Sequence, residues 1–344
     1  MNRAVLVLLT ILCLLSVSSI TGLIHVVKAE SAPIYINADG SVSPSTAPIY
    51  SADNITYTLT GNISAATDGI LIERNNVVLN GAGCTMTGSG SGSGVNAGIN
   101  VTRQSNVTIR NMTIENFGFS IDLEYSSNCT LSGNTVTTSS RMGSIMLDFS
   151  NNDVLSGNNV TANPIDGIVL GSCSNDTLSG NDFTNNDWSI YSDYSFNNIL
   201  FGNNFANNSI GIYFDSSSNN TIYNNNFVNN TFSQVYSSDS TNVWDNGSVG
   251  NYWSDYLTKC PNATQVDSSG VWNTPYVIDA NNTDYYPLAV PYAVVPEFPS
   301  FLVLPLFLIA TLLAVIICKK KAVKTSQSPL SLICLKSPSE LCTP

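Results

Sequence analysis

Histidine and basic residues are nearly missing from this chain, whose 344 residues include one histidine and 12 lysines and arginines. The histidine, His25, falls within an apolar leader, so the rest has no imidazole to act as a base near neutral pH or to hold a transition metal. There is no G-x-S-x-G turn and no phosphate-binding glycine loop, which excludes triad hydrolases and kinases. Between residues 30 and 298 five basic residues (Arg74, Arg103, Arg110, Arg141, Lys259) face 23 acidic ones, a difference of -18. Without a basic patch to neutralise phosphates, nucleic acid is disfavoured as a partner, and cations or neutral glycans suit this surface better. Cysteines are few and scattered. Cys13, Cys318, Cys334 and Cys342 lie towards the two ends, and Cys84, Cys129, Cys173 and Cys260 form no C-x-x-C motif. No disulfide framework or zinc site is legible, although one long-range bridge stays open.

Asparagine, serine, threonine and glycine fill the chain instead. These residues compete with helix backbone bonds and suit turns and strands. Residues 1–29 read as an export signal: Arg3 supplies the positive start, Ala4 to Val27 is largely apolar, and Val27-Lys28-Ala29 fits a small-residue cleavage site. If uncleaved, the same run would serve as an amino-terminal anchor. Phe301 to Cys318 is uncharged and long enough to cross a bilayer, and Lys319, Lys320 and Lys321 follow it. The positive-inside rule then places the tail, 319–344, in the cytoplasm and residues 30–298 outside, with a Pro-rich linker at 293–299 ahead of a transmembrane helix at 300–318.

Internal repeats decide the fold class. The segments "NVTIRNMTI" from Asn106, "NCTLSGNTV" from Asn128, "NDVLSGNNV" from Asn152, "NDTLSGNDF" from Asn175, "NNILFGNNF" from Asn197 and "NNTIYNNNF" from Asn219 align, with steps of about 22 residues. Ahead of each lies a second short strand, opening at Ile99, Ile121, Ile145, Ile168, Ile190 and Ile212, with period-two alternation. Two further columns stay apolar: Ile109, Leu131, Leu155, Leu178, Leu200 and Ile222, then Ile114, Val136, Val160, Phe183, Phe205 and Phe227. Four or five core side chains contribute roughly 1.5 to 3 kcal/mol apiece. Fixing the backbone costs about 1 to 2 kcal/mol per residue. One unit therefore cannot fold alone, and stacking on its neighbours is required. The expected class is all-β, a right-handed, single-stranded parallel β-helix of about 22-residue coils. Its parts are an amino-terminal cap with first coils (30–97), repeats (98–243) and a carboxyl-terminal cap (244–292). A disordered stalk lacks such regular apolar positions. A leucine-rich horseshoe would need a helical half that "SGNDFTNNDWS" does not supply. Asparagines are expected to turn the corners in left-handed conformations, with their amides bonded to the identical amide one coil away.

The coils, followed by "GNYWSDY" (Gly250 to Tyr256), "NTPYVI" (Asn273 to Ile278) and "DYYPL" (Asp284 to Leu288), resemble surface proteins with the NosD-type right-handed parallel β-helix domain. The lead-in "IYINADGSVSPSTAPI" with "YTLTGNI" is similar to that of archaeal members, and the resemblance runs from about residue 33 to 292. In relatives the segment before "TPY" often resembles a calcium loop. Here "NATQVDSSGVWNTPY" has Asp267 as its lone carboxylate, which suits a structural cap. The resemblance also implies periplasmic copper handling, yet Met86, Met112, Met142 and Met146 make no compact cluster of soft donors. The run "PEFPSFLVLPL" resembles a PEF-type sorting signal, but the chain continues well past the lysines, so a plain membrane anchor fits better.

Chemistry, if present, is expected on the outward side of the first strand of each coil. Glu124, Asp148, Gly171, Asp193 and Asp215 form one row there, joined by outward Asp122, Tyr191 and Tyr213. These carboxylates could simply solvate a strand face, or they could bind glycans, with tyrosines stacking on sugar rings and carboxylates meeting hydroxyls directly or through calcium. They could also act as paired acids of a glycosidase, Glu124 with Asp148 or Asp193 with Asp215, or with Arg141 as the base of a lyase or epimerase. No cofactor is called for, calcium aside. Fourteen N-x-S/T sequons suggest a glycosylated surface, with modification expected at Asn54, Asn62, Asn207, Asn229 and Asn246 rather than along Asn106, Asn128, Asn175 and Asn219.

Overall fold

The computed structural model describes residues 28–30, 33–90, 96–140, 143–266 and 269–293. All but the last two residues of the expected signal, all but the first of the linker, the membrane-spanning segment and the tail lie outside them, as do Arg141, Met142 and Asp267. No helix among the described residues is long and apolar enough to cross a membrane.

The chain winds through three parallel sheets in turn, completing eight three-stranded coils. Sheet I takes the strands Ile34–Ile36, Ile70–Ile72, Ala97–Thr102, Phe119–Glu124, Ile145–Asp148, Asp166–Gly171, Trp188–Asp193, Ile210–Asp215 and Ser233–Ser238. Sheet II runs from Thr56–Leu59 to Thr221–Tyr223, and sheet III ends at Tyr252–Trp253. One four-residue helix, Tyr256–Lys259, occurs among the described residues. The parallel β-helix read from the repeats is therefore present.

Register places like on like. Ile99, Ile121, Ile145, Ile168, Ile190, Ile212 and Val235 pair in succession on sheet I. Leu131, Leu155, Leu178 and Leu200 do so on sheet II, and Val136, Val160, Phe183, Phe205 and Phe227 on sheet III. All of these side chains are buried. Alternation in each strand sends every second residue into the core, and stacking extends that core from coil to coil.

Residues 33–68, expected as part of a cap, carry the three strands of a full coil, paired in parallel with the coil that follows. The edge is covered by short antiparallel strands, Val42–Ser43 and Ile49–Tyr50, a standard protection for an open sheet end. Lys28–Glu30 adds a strand beside Ile63–Ala65.

From Gly133 onward, Cys173 apart, each left-handed corner residue of the coils is followed by a buried polar one. Four columns per coil have φ between +47° and +66°, among them Asn128, Asn152, Asn175, Asn197 and Asn219, and Gly133, Gly157, Gly180 and Gly202. Asparagine and glycine tolerate this region where other residues are strained. The amide ladder expected in the Asn128 column lies elsewhere. Asn128, Asn175 and Asn219 are exposed, and in that column only Asn106 bonds its counterpart, donating to Asn76 Oδ1 at 2.8 Å. The ladders are formed by residues that follow a left-handed corner and turn inward. Asn134, Asn158, Asn181, Asn203 and Asn225 each donate Nδ2 to the Oδ1 of the asparagine one coil on, the last being Asn251, at 2.9–3.2 Å. Asn163, Asn186 and Asn208 do the same, ending on Asn230, at 2.8–3.1 Å.

The reason for expecting the Asn128 column to be spared glycosylation therefore falls, while Asn54, Asn207, Asn229 and Asn246 are exposed. Asn62 Oδ1 accepts the Thr85 N–H at 2.9 Å, whereas Asn128 and Asn175 project into solvent. Asn207 and Asn229 are corner residues of the same left-handed type. Produced in a host that performs N-glycosylation, the protein is expected to show higher occupancy at Asn128 and Asn175 than at Asn62 in a glycopeptide map.

The far end is closed by the very residues that carry the family resemblance. Phe183, Phe205, Phe227, Trp253 and Tyr276 stack ring on ring, with centroids 5.0, 5.0, 4.4 and 4.2 Å apart, so the aromatic column of sheet III continues into the cap. Asp284 is fully buried and accepts from Trp253 Nε1 at 2.8 Å and from the Asn251 N–H at 2.7 Å. Burial pushes its carboxyl up to about 7. Gly250 leaves room for it, since a Cβ there would run into the Asp284 carboxylate. Asn282 ends a second polar column by accepting from the Asn242 N–H and from Trp244 Nε1. These motifs terminate the stack.

Candidate functional site

Sheet I sends alternate residues outward, and its register assembles them into rows. One row reads Thr102, Glu124, Asp148, Gly171, Asp193, Asp215, Ser238. The next reads Asn100, Asp122, Met146, Val169, Tyr191, Tyr213, Tyr236. The structure thus brings together every sheet I residue singled out from the sequence. Glu124 pairs with Asp148 and Asp193 with Asp215. Gly171 parts the two pairs, and a Cβ there would lie 2.7 Å from Asp148 Oδ1. Arg141 lies outside the described residues.

Three residues of this face were not foreseen: Trp188, Tyr236 and Asp166. The strands begin two residues before the isoleucines that mark them, so a third outward row runs Asp166, Trp188, Ile210, Ser233. Strict alternation from Ile190 would turn Trp188 inward; here Ser189 and Ile190 are both buried, and Trp188 is turned out. Its indole stacks on Tyr213 at 4.7 Å and meets Tyr191 edge-on at 5.5 Å, while Tyr213 meets Tyr236 at 4.8 Å. The result is an aromatic strip across three coils, half-exposed at its centre and 44% exposed at Tyr236.

A second aromatic wall flanks the carboxylate row at the corner. Tyr125 and Phe149, each about half exposed, stack at 5.0 Å, and Arg103 lies 5.5 Å over the Tyr125 ring. All three have positive φ, unusual for bulky side chains.

Electrostatics on this face run one way. Burial, then the charges of Glu124, Asp148 and Asp68, pushes Asp122 up to about 6. Asp148 is raised by burial and by Glu124 and Asp193, and Asp193 by burial and by Asp215. Burial raises Asp166 to about 7, with Asp187 adding to it. Tyr191 and Tyr213 are also raised, burial first. Among the described residues no cation pairs with any of these carboxylates, and the salt bridge found there, Lys259–Asp255 at 3.7 Å, belongs to the cap. Nor do three His, Cys, Asp or Glu side chains converge as a metal site among them.

The model of the family described as periplasmic copper-binding protein (NosD) matches residues 52–258. The chain belongs to the NosD family. No curated protein matches it. Among solved structures it is similar to the periplasmic alginate epimerase AlgG, at 14% identity over 63% of this chain and 73% of that one, with a TM-score of 0.40. It is also similar to the A-module of the Azotobacter vinelandii mannuronan C-5 epimerase AlgE6, at 13% identity over 65% and 80%, with a TM-score of 0.36. A mutant tailspike protein of E. coli bacteriophage HK620 in complex with pentasaccharide is similar at 12% identity over 64% and 57%, with a TM-score of 0.33.

Copper, implied by the NosD description, does not fit the donors present. The described residues include no histidine, Met86 and Met112 are buried in the core, and Cys84, Cys129 and Cys173 are buried in separate coils. Burial raises the Cys129 thiol to about 12, the opposite of what thiolate ligation requires.

Proposed function

We propose that this NosD-family chain is a cell-surface protein whose parallel β-helix contacts extracellular or cell-envelope glycans through the outward face of sheet I. The observation that carries this reading is the strip Trp188, Tyr213 and Tyr236, with Tyr191 beside it and Asp193 and Asp215 along its border. Stacked rings offer flat apolar surface to the C–H faces of pyranoses, and flanking carboxylates accept bonds from their hydroxyls. The apolar segment 300–318 would tether the domain to the membrane with its tail in the cytoplasm, and the leader would export it. Calcium could bridge acidic ligands to the row.

On a glycan array, Trp188→Ala is expected to weaken binding about tenfold, the loss of one stacked ring contact of roughly 1.4 kcal/mol. Binding unchanged in that variant would remove the platform from the reading.

A second reading draws on Asp122, whose carboxyl is raised to about 6 beside Asp148. Neighbouring carboxyl groups with separated proton affinities are the equipment of a glycoside hydrolase, and with calcium this face could serve a polysaccharide lyase or epimerase. Reducing-sugar release, measured with and without calcium and abolished by Asp148→Asn or Asp193→Asn, would favour it. Binding without turnover favours the first reading.

A further inference from the structure

Asp166 is 7% exposed, and its carboxyl group meets no hydrogen-bond donor among the described residues. It stands beside Trp188 in the register of sheet I, on the glycan-contact face, and its charge is felt at Tyr191. Most of the side chain is buried while its carboxyl oxygens reach solvent, so a cationic N–H from outside would satisfy them best.

We propose that the ligand of this face is a linear polysaccharide bearing protonated amino groups, a deacetylated hexosamine chain lying along the solenoid axis. This rests on the glycan reading above and adds the charge of the sugar. Carboxylates recur along the face from coil to coil, at Glu124 and Asp148 and again at Asp193 and Asp215. The coil spacing of about 4.8 Å is close to the advance of one pyranose in an extended β-linked chain. Successive rings of such a chain are turned over, so every second amine meets the row, about two coils apart, while the sugar rings lie on Trp188, Tyr213 and Tyr236. Aromatic faces also attract cations. A polyuronate would set its carboxylates against this row, and like charges forced together discriminate strongly. N-acetylation removes the charge without removing the ring, so it isolates the amine's contribution.

The test is calorimetric titration of the full-length chain, kept soluble in detergent, with hexamers of glucosamine, N-acetylglucosamine and galacturonate at matched low salt. The glucosamine hexamer is expected to bind about tenfold more tightly than its N-acetylated counterpart, as one or two well-placed charge pairs provide. The galacturonate hexamer is expected to bind most weakly. D193N/D215N should abolish the preference for the amine, with the glucosamine hexamer losing more affinity than its N-acetylated counterpart, and adding D166N should weaken glucosamine binding further. Circular dichroism of each variant checks that the sheets persist. Equal affinity for the two hexosamines, or a preference for galacturonate, overturns the amine inference and leaves glycan contact standing. Failure of all three hexamers to bind overturns the inference and removes support from the glycan reading as well. Polylysine binding as tightly as the glucosamine hexamer also overturns it, because the face would then select positive charge without the sugar.

Discussion

Replacing Asp153 and Asp176 together by asparagine is expected to raise stability at pH 9 by an amount on the order of several kcal/mol, and to weaken its dependence on pH. The two residues sit in an inward polar column that continues as Asn198, Asn220 and Asn242. Each uses Oδ1 as the asparagines do: Asp153 accepts from the Cys129 N–H at 2.6 Å and Asp176 from the Asp153 N–H at 2.9 Å. Their Oδ2 atoms are buried without a partner. In the neighbouring ladders that position belongs to an amide N–H donor, so a protonated carboxyl fits the column and a carboxylate puts charge where a donor belongs. Burial raises Asp153 to about 7, and burial with the charge of Asp153 raises Asp176 to about 8, from an ordinary 3.8. Native carboxyls therefore hold protons that unfolded ones release. The stability they confer is complete below about pH 4 and is lost as pH rises through 7 to 8. Urea unfolding at pH 5 and pH 9 reads this directly. Equal stability of the parent at both values, or a double variant no more stable at pH 9, would contradict it. Asp284, raised to about 7 in the cap, leaves a residual slope in the same direction.

Phe205→Ala is expected to cost about 3–5 kcal/mol in the same measurement. Its ring is fully buried and sandwiched between Phe183 and Phe227 at 5.0 Å on each side, so truncation empties a slot that neighbouring coils cannot close without losing register. Phe201→Ala is the control. That ring lies outside, against Tyr223 at 5.6 Å, and its loss should cost about 1 kcal/mol or less. Similar costs for the two would mean that the stacked core does not carry the fold. A smaller case of the same logic is Gly167, where a Cβ would come within 2.6 Å of the Ser189 carbonyl oxygen and 2.9 Å of Val160 Cγ1.

The core columns were legible because a parallel stack repeats each demand at one period, and Leu131, Leu155, Leu178 and Leu200 answer the same demand. Periodicity identifies columns without saying which way a polar column points. Asn152 and Asn158 recur with equal regularity, yet the first turns the corner in solvent while the second enters the core. What separates them is the backbone, since a left-handed residue sends the next side chain inward. The carboxylate and tyrosine rows followed from simple alternation. Trp188 escaped because alternation breaks there: Gly167, Ser189 and Gly211 face the core like the isoleucines that follow them, their size set by packing, and the residue before each is turned out. Asp166 could be seen as an acid but not as a buried one, because its burial depends on neighbours in other coils.

The four tryptophans permit the most direct test of the claim that sheet I is the ligand face. Trp188 lies on that face, while Trp244, Trp253 and Trp272 belong to the cap. With fluorotryptophan incorporated, fluorine NMR is recorded during titration with the glucosamine hexamer and then with the N-acetylglucosamine hexamer. The Trp188 resonance should move and saturate while the three cap resonances stay in place. Movement confined to the cap tryptophans, or no movement of Trp188 at saturating hexamer, would contradict it.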